Sequence, residues 1–251
     1  MKHIADEKSS NTDFDSLYRI GGIAALVAGV IFRRNIAAEI GLFIDRIPPT
    51  TVEDWFTLLH GNRLLGLAYL NIFDVVNYIL VSLMFLALYV VLRRVNQSFM
   101  AIAVALGLLG IAVYFASNTA FSMLSLSDQY ATAETETQKA MLLSAGEAML
   151  AINRFSSPGA YPGTGGLISL FLIAAAGMIT SVVMLRSDEF NRATPYTGIL
   201  TNGFDLVYCI AFVFMPAAES ELLAIIFIPI AGLFMMVWHI LVGWRLYKSG
   251  R

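Results

Sequence analysis

Six long segments of this chain carry almost no strongly polar residues. A helix needs about 20 largely apolar residues to cross the hydrocarbon of a bilayer. In lipid, every backbone N–H and C=O must also be bonded within the spanning element or a closed barrel. Together these requirements reduce the fold to an all-α, polytopic membrane helical bundle. Five stretches meet the length cleanly, at about 65–92, 99–126, 165–186, 196–216 and 221–246. The first, about 17–34, is shorter: Ile20–Phe32 is apolar, and Arg33, Arg34 and Glu39 precede the apolar Ile40–Ile44. Gly21, Ala25 and Gly29 recur every four residues in it, a small face suited to close helix packing. The expectation is six transmembrane helices plus an outer amphipathic helix, forming one domain over 17–248 behind a polar tail at 1–16.

Composition excludes several classes. Of 251 residues, 58% are hydrophobic and 14% charged, against about 25% charged in soluble domains. Such a chain cannot cover its surface with polar groups, so the bilayer is its first partner. A net charge of −2 gives no case for nucleic acid, which needs a basic surface. Cys209 is the only cysteine, so no thiolate cluster can hold zinc or iron–sulfur. The histidines, His3, His60 and His239, lie far apart. No metal site and no cofactor are expected. The tail mixes Lys2 and Lys8 with Asp6, Glu7, Asp13 and Asp15, and no small-residue cleavage site follows Ile20, so the first helix reads as retained.

Punctuation supports this division. Pro48-Pro49 stops the first unit, and Thr50-Thr51-Val52-Glu53 resembles a capping box, opening a short helix near 51–60 with Trp55 at an interface. Arg93–Gln97 reads as a tight turn. Gln138–Ile152 reads as an amphipathic helix with Met141, Leu142, Ala145, Met149 and Ile152 on one face. Ser156–Gly166, rich in Ser, Pro and Gly, reads as a loop, and Pro195 suits the first turn of the fifth span.

Lysine and arginine counts orient the bundle. With six spans both termini share a side, which then holds Lys2, Lys8, Arg19, Arg93, Arg94, Arg186, Arg192, Arg245, Lys248 and Arg251. The other side holds Arg46, Arg63, Lys139 and Arg154, with Arg33 and Arg34 snorkelling there. Both termini are therefore expected in the cytoplasm of a cell-membrane protein. This orientation depends on the first span.

Ionisable groups within a span are expensive and usually face the bundle interior. At about 100° per residue, Asn71, Asp74, Asn77 and Tyr78 share a face, as do Tyr114, Asn118, Ser122 and Ser125. Thr201, Asn202, Asp205 and Tyr208 share another, and Gly232, His239 and Gly243 align on the last span. Asp74 is expected ~14 Å from the outer end of its span, level with Asn118, and Asp205 and His239 ~10–14 Å from the inner ends of theirs. The candidates form an outer group (Asp74, Asn71, Asn77, Asn118) and an inner group (Asp205, His239, Asn202, Tyr208). Polar glue between helices is the first reading, a ligand or ion pathway the second, and catalysis by an Asp205–His239 pair the third.

Sharper motifs are missing from the sequence. No lysine lies inside a span, Gly159–Gly166 lacks the ending of a phosphate loop, and no Gly-x-Ser-x-Gly elbow occurs. None of the spans reads as carrying the Gly/Pro interruption of a discontinuous transporter helix.

Three stretches carry a family likeness: Tyr-Arg-Ile-Gly-Gly at 18–22, Ala-Leu-Tyr-Val-Val-Leu-Arg-Arg at 87–94, and Leu-Val-Gly-Trp-Arg-Leu-Tyr-Lys-Ser-Gly at 241–250. With the six-span hydropathy, the chain resembles an uncharacterised prokaryotic family of membrane proteins, the DUF4386-like group. The resemblance implies the architecture and no catalytic residues. The functional expectation is an integral membrane protein without a catalytic centre, an accessory or structural subunit or a small sensor, with a protein partner or a second copy of itself. A small-solute or ion transporter and a lipid-acting membrane enzyme are the alternatives.

Overall fold

Asn96 folds the longest apolar stretch of the chain into a helical hairpin. The stretch Ile72–Ala131 runs 60 residues and would measure ~90 Å if straight, three times the hydrocarbon thickness. Its helix leaves helical geometry at Asn96 (φ −158°, ψ 96°). There the Asn96 side chain accepts the Phe99 N–H at 3.0 Å, as an N-cap does. Beyond the turn the arms run antiparallel, so that Gly107 packs on the Phe85 ring. The expected turn at Arg93–Gln97 is thus a single capped residue.

The computed structural model describes residues 14–31, 49–152, 163–215 and 217–250. The elements are α1 (Phe14–Ile31), α2 (Val52–Gly61), α3 (Arg63–Tyr69), α4 (Ile72–Ser117, the hairpin), α5 (Ala120–Ala131), α6 (Glu136–Ile152), α7 (Thr164–Met184), α8 (Ala193–Phe214) and α9 (Ala217–Ser249). There is no strand among the described residues. Five helical segments are long and apolar enough to cross a membrane: Phe14–Ile31, Ile72–Ala131, Thr164–Met184, Ala193–Phe214 and Pro229–Ser249. Pro229 stands inside α9, contrary to the expectation of uninterrupted spans. Its ring removes the N–H that would bond the carbonyl of residue 225. The anchors Arg33 and Arg34, the tail to residue 13 and most of the Ser156–Gly166 loop lie outside the described residues.

The helices form two compact units. The larger takes the described residues of Met1–Phe43, Asn77–Ile111 and Leu170–Arg251, and the smaller those of Ile44–Val76 and Ala112–Ser169.

The larger unit is apolar both in its core and over its surface. Its core mixes small and large side chains, among them Ala25, Ala28, Met84, Phe85, Leu88, Ala176, Trp238 and Leu246. Its exposed surface carries large apolar residues on every helix: Ile20, Ile23, Val27 and Val30 on α1, Ile102 and Leu109 on α4, Phe171 and Val182 on α7, Val207 and Val213 on α8, Leu233 and Ile240 on α9. An apolar surface this continuous is untenable in water and natural in lipid. The small face of α1 does what its spacing promised. Gly21 leaves no room for a side chain against Ala87 of α4, and a methyl on Gly22 would stand 2.6 Å from the Tyr247 nitrogen of α9. With Ala25 and Ala28 fully buried, α1 is seated against both neighbours.

The smaller unit is a cluster of short helices around Trp55, Phe56, Leu59 and Met123. Thr51, not Thr50, caps α2: its hydroxyl accepts the Asp54 N–H at 3.2 Å and donates to Asp54 Oδ2 at 2.6 Å. Trp55 is therefore turned into this core, 4% exposed, and not toward an interface. Asn62 serves two helices, donating its N–H to the Leu58 carbonyl and accepting the Leu65 N–H on its side chain. Ser127 Oγ donates to the Phe56 carbonyl at 2.8 Å, tying α5 to α2. The buried face of α6 is centred on Gly146 and Leu150, and Met141 and Ile152 point outward. Gly146 explains this rotation from the expected face: a methyl there would stand 2.9 Å from Phe56 Cζ, so glycine lets α6 lie on α2. Hydropathy gives glycine no weight, so the pattern followed the bulky residues instead.

Candidate functional site

Three of the four outer-group residues, Asn71, Asp74 and Asn118, stand at helix ends. The chain breaks at Leu70–Asn71, where Asn71 is left-handed (φ 61°), a conformation asparagine tolerates better than most residues. Helix α4 then starts at Ile72, so Asp74 sits in its first turn and not ~14 Å inside a span. There its carboxylate complements the helix dipole. Apolar Leu64–Leu70 hid this break from the hydropathy pattern.

Asn118 is likewise the C-terminal cap of α4. Its Nδ2 lies 3.5 Å from the Leu70 carbonyl and 3.4 Å from Tyr114 Oη, and Tyr114 Oη donates to the Asn71 carbonyl at 3.2 Å. Its Oδ1 accepts the Ala120 N–H at 3.1 Å, starting α5. The structure therefore brings Asn71, Asn118 and Tyr114 together, with Asp74 one turn away. Asn77 belongs to the larger unit and is buried, and its Oδ1 has no hydrogen-bond partner among the described residues.

The inner group divides over two helix seams. On α8 the expected face is the buried one: Gly198, Thr201, Asn202, Tyr208 and Cys209 are buried, and Asp205 is partly so. Thr201 Oγ1 donates to the Ala231 carbonyl of α9 at 2.7 Å. Asn202 Nδ2 donates to the Gly198 carbonyl at 2.6 Å, and the amide lies on Gly177 of α7, where no side chain would fit. Trp238 presents Nε1 to Gly198 near Ser181 Oγ, and Ser181 bonds back to the Gly177 carbonyl at 2.7 Å.

His239 turns the other way. Its Cβ would lie 3.3 Å from a methyl on Gly29 of α1, and its Nδ1 donates to the Met235 carbonyl at 2.8 Å. Trp238 meets α8 at Gly198, and Asp205 lies seven residues further along, ~10 Å of helix. Phe204, beside Asp205, packs on Phe227 and Phe234 of α9. Asp205 is thus at the level of Pro229, and the structure does not place it with His239. Antiparallel pairing of α8 and α9 sets this offset, which counting from assumed span ends missed. Among the described residues, no hydrogen-bond donor or cation reaches the Asp205 carboxylate.

Gly177, Gly198, Ser181 and Trp238 were missed as members of the inner group. Gly177 and Ser181 are four residues apart, a small-residue spacing that marks helix contacts and that carries no ionisable group. No group of three or more His, Cys, Asp or Glu fit to hold a metal occurs among the described residues. Two open grooves, about 410 Å³ along α5 and about 480 Å³ between α5 and α6, share Phe121, Ser125 and Gln129. Neither includes a residue of the inner or outer group.

No curated protein and no solved structure matches the chain. A family model described as a domain of unknown function, DUF4386, matches residues 16–243, from the start of α1 to within two turns of the end of α9, and the chain belongs to that family.

Proposed function

We propose that this protein is a six-span integral membrane protein that works through helix–helix and helix–lipid contacts, as an accessory or structural subunit or a small membrane sensor. The observation that carries this reading is the use made of the polar side chains. Thr201 ties α8 to α9, Asn202 fills the space over Gly177, and Tyr114 and Asn118 stitch helix ends. Each has a packing role, and none converges on a space where a substrate would sit. The hairpin at Asn96 supports counting Ile72–Ala131 as two spans, which gives six and leaves both termini on the cytoplasmic side with Arg93, Arg94, Arg186 and Arg192. Purification in mild detergent with quantitative identification of copurifying chains tests the role. A stoichiometric partner, or a stable homo-oligomer, is expected. A monodisperse monomer from every mild detergent would count against it.

Asp205 supports a second reading, passage of a cation or small solute. It is the acidic residue of the inner group, and it lies level with Pro229, where α9 lacks a backbone N–H. Under that reading, Asp205→Asn abolishes uptake in proteoliposomes at unchanged thermal stability. Under the first, the variant is indistinguishable from the parent in both measurements.

A further inference from the structure

The described basic residues of the larger unit gather at one end of it, from four separate stretches of chain. The Arg93 guanidinium stands 4.9 Å over the Phe14 ring of α1. Tyr18 lies within electrostatic reach of Arg93, Arg94, Asp15 and Glu189. Arg19 packs beside Gly250 at the end of α9. Arg245 donates to the Glu189 carbonyl and pairs with its carboxylate at 2.6 Å, bringing in the α7–α8 turn with Arg186 and Arg192. This end thus holds Arg19, Arg93, Arg94, Arg186, Arg192, Arg245 and Lys248 against Asp15, Asp188 and Glu189 among the described residues. Arg245 occupies Glu189, so the surplus falls on the other cations, of which Arg19, Arg94, Arg186, Arg192 and Lys248 are exposed.

A second observation fixes what this surplus faces. Trp244 is 55% exposed on the side of α9 that carries Leu233 and Ile240, and the Lys248 ammonium stands 4.9 Å over its ring. An exposed indole with a lysine one turn beyond it marks the level where hydrocarbon gives way to headgroups. The cations therefore lie at headgroup depth, where each near-surface charge adds measurably to attraction for an anionic leaflet.

We infer that this end binds the phosphates of anionic phospholipids, with Arg186, Arg192 and Lys248 among the contacts. The inference rests on the membrane-spanning reading, so carbonate extraction of membranes comes first: full release of the chain would sink that reading itself. The test proper is native mass spectrometry of the full-length protein titrated with phosphatidylglycerol or phosphatidylcholine. Phosphatidylglycerol should be retained preferentially, and Arg186→Gln/Arg192→Gln should weaken it by about 25-fold, about fivefold per cation. Arg63→Gln, which removes an exposed pair with Asp128 in the other unit, should leave it unchanged. Should the double variant not fold, the parent answers alone: about 0.5 M salt must weaken phosphatidylglycerol binding and spare phosphatidylcholine. Equal retention of both lipids, an undiminished double variant, or displacement by inorganic phosphate would each overturn the inference, the last by pointing to a free anion.

Discussion

The Asn202 amide occupies the space that a side chain on Gly177 would need, and it bonds to the Gly198 carbonyl of its own helix at 2.6 Å. A buried amide is costly unless bonded, and here it serves as the fitted surface on which α7 lies against α8. This geometry suits the first reading of the inner group, polar glue between helices.

Enlarging Gly177 should therefore unseat α7. Gly177→Leu overpacks a closed seam, which costs about 1–3 kcal/mol, and thermal unfolding in detergent should fall by several degrees. Gly203 is the control, because the nearest atom to a methyl there is Met178 Cε at 3.5 Å. Gly203→Ala should hold or raise stability, up to the ~1 kcal/mol helix gain. Equal effects at both positions would mean that Asn202 does not fill this seam.

The smaller unit offers a parallel case. Gly146→Val drives a side chain into Val52 and Phe56 and should lift α6 from α2. Hydrogen exchange should show lost protection over residues 136–152, with α8 and α9 unaffected. Protection of α6 equal to that of the parent would contradict the packing described.

At the hairpin, Asn96→Ala removes the acceptor for the Phe99 N–H and should cost about 1 kcal/mol, and Asn96→Asp or Asn96→Ser should recover most of it. Thermal stability of the three variants is the measurement. If Ala and Asp are equivalent, the cap is not what shapes the turn.

Tyr114→Phe removes the bond to the Asn71 carbonyl without changing the ring. The expected loss is ~0.6 kcal/mol, the average for hydrogen bonds within membrane proteins. A loss several-fold larger would assign Tyr114 a role beyond stitching the helix ends.

Much of this architecture was legible in the sequence, because lipid makes hydropathy and helical phase nearly sufficient. The apolar helices, the small face of α1 and the buried face of α8 all follow from residue type and spacing. What escaped was set by glycine, asparagine and pairing. Apolar Leu64–Leu70 continues the hydropathy of α4, so the left-handed Asn71 that ends it was invisible and Asp74 was placed too deep. Gly146 turned α6 by about one residue, because hydropathy gives glycine no weight, and the small face at Gly29 did not reveal that His239 is what packs on it. The offset between Asp205 and His239 came from the register of α8 on α9, which no single helix encodes.

The side of the membrane on which each turn lies separates a six-span bundle from any other count. In a Cys209→Ser background, Gln97→Cys marks the hairpin turn, Gln138→Cys marks α6, and Ser249→Cys marks the end of α9, all at exposed positions. With a membrane-impermeant maleimide on intact cells, a six-span bundle with cytoplasmic termini predicts labelling at Gln138→Cys alone, and labelling at Gln97→Cys and Ser249→Cys only after permeabilisation. Labelling of Gln97→Cys and Ser249→Cys on opposite sides, or of all three on intact cells, would contradict it.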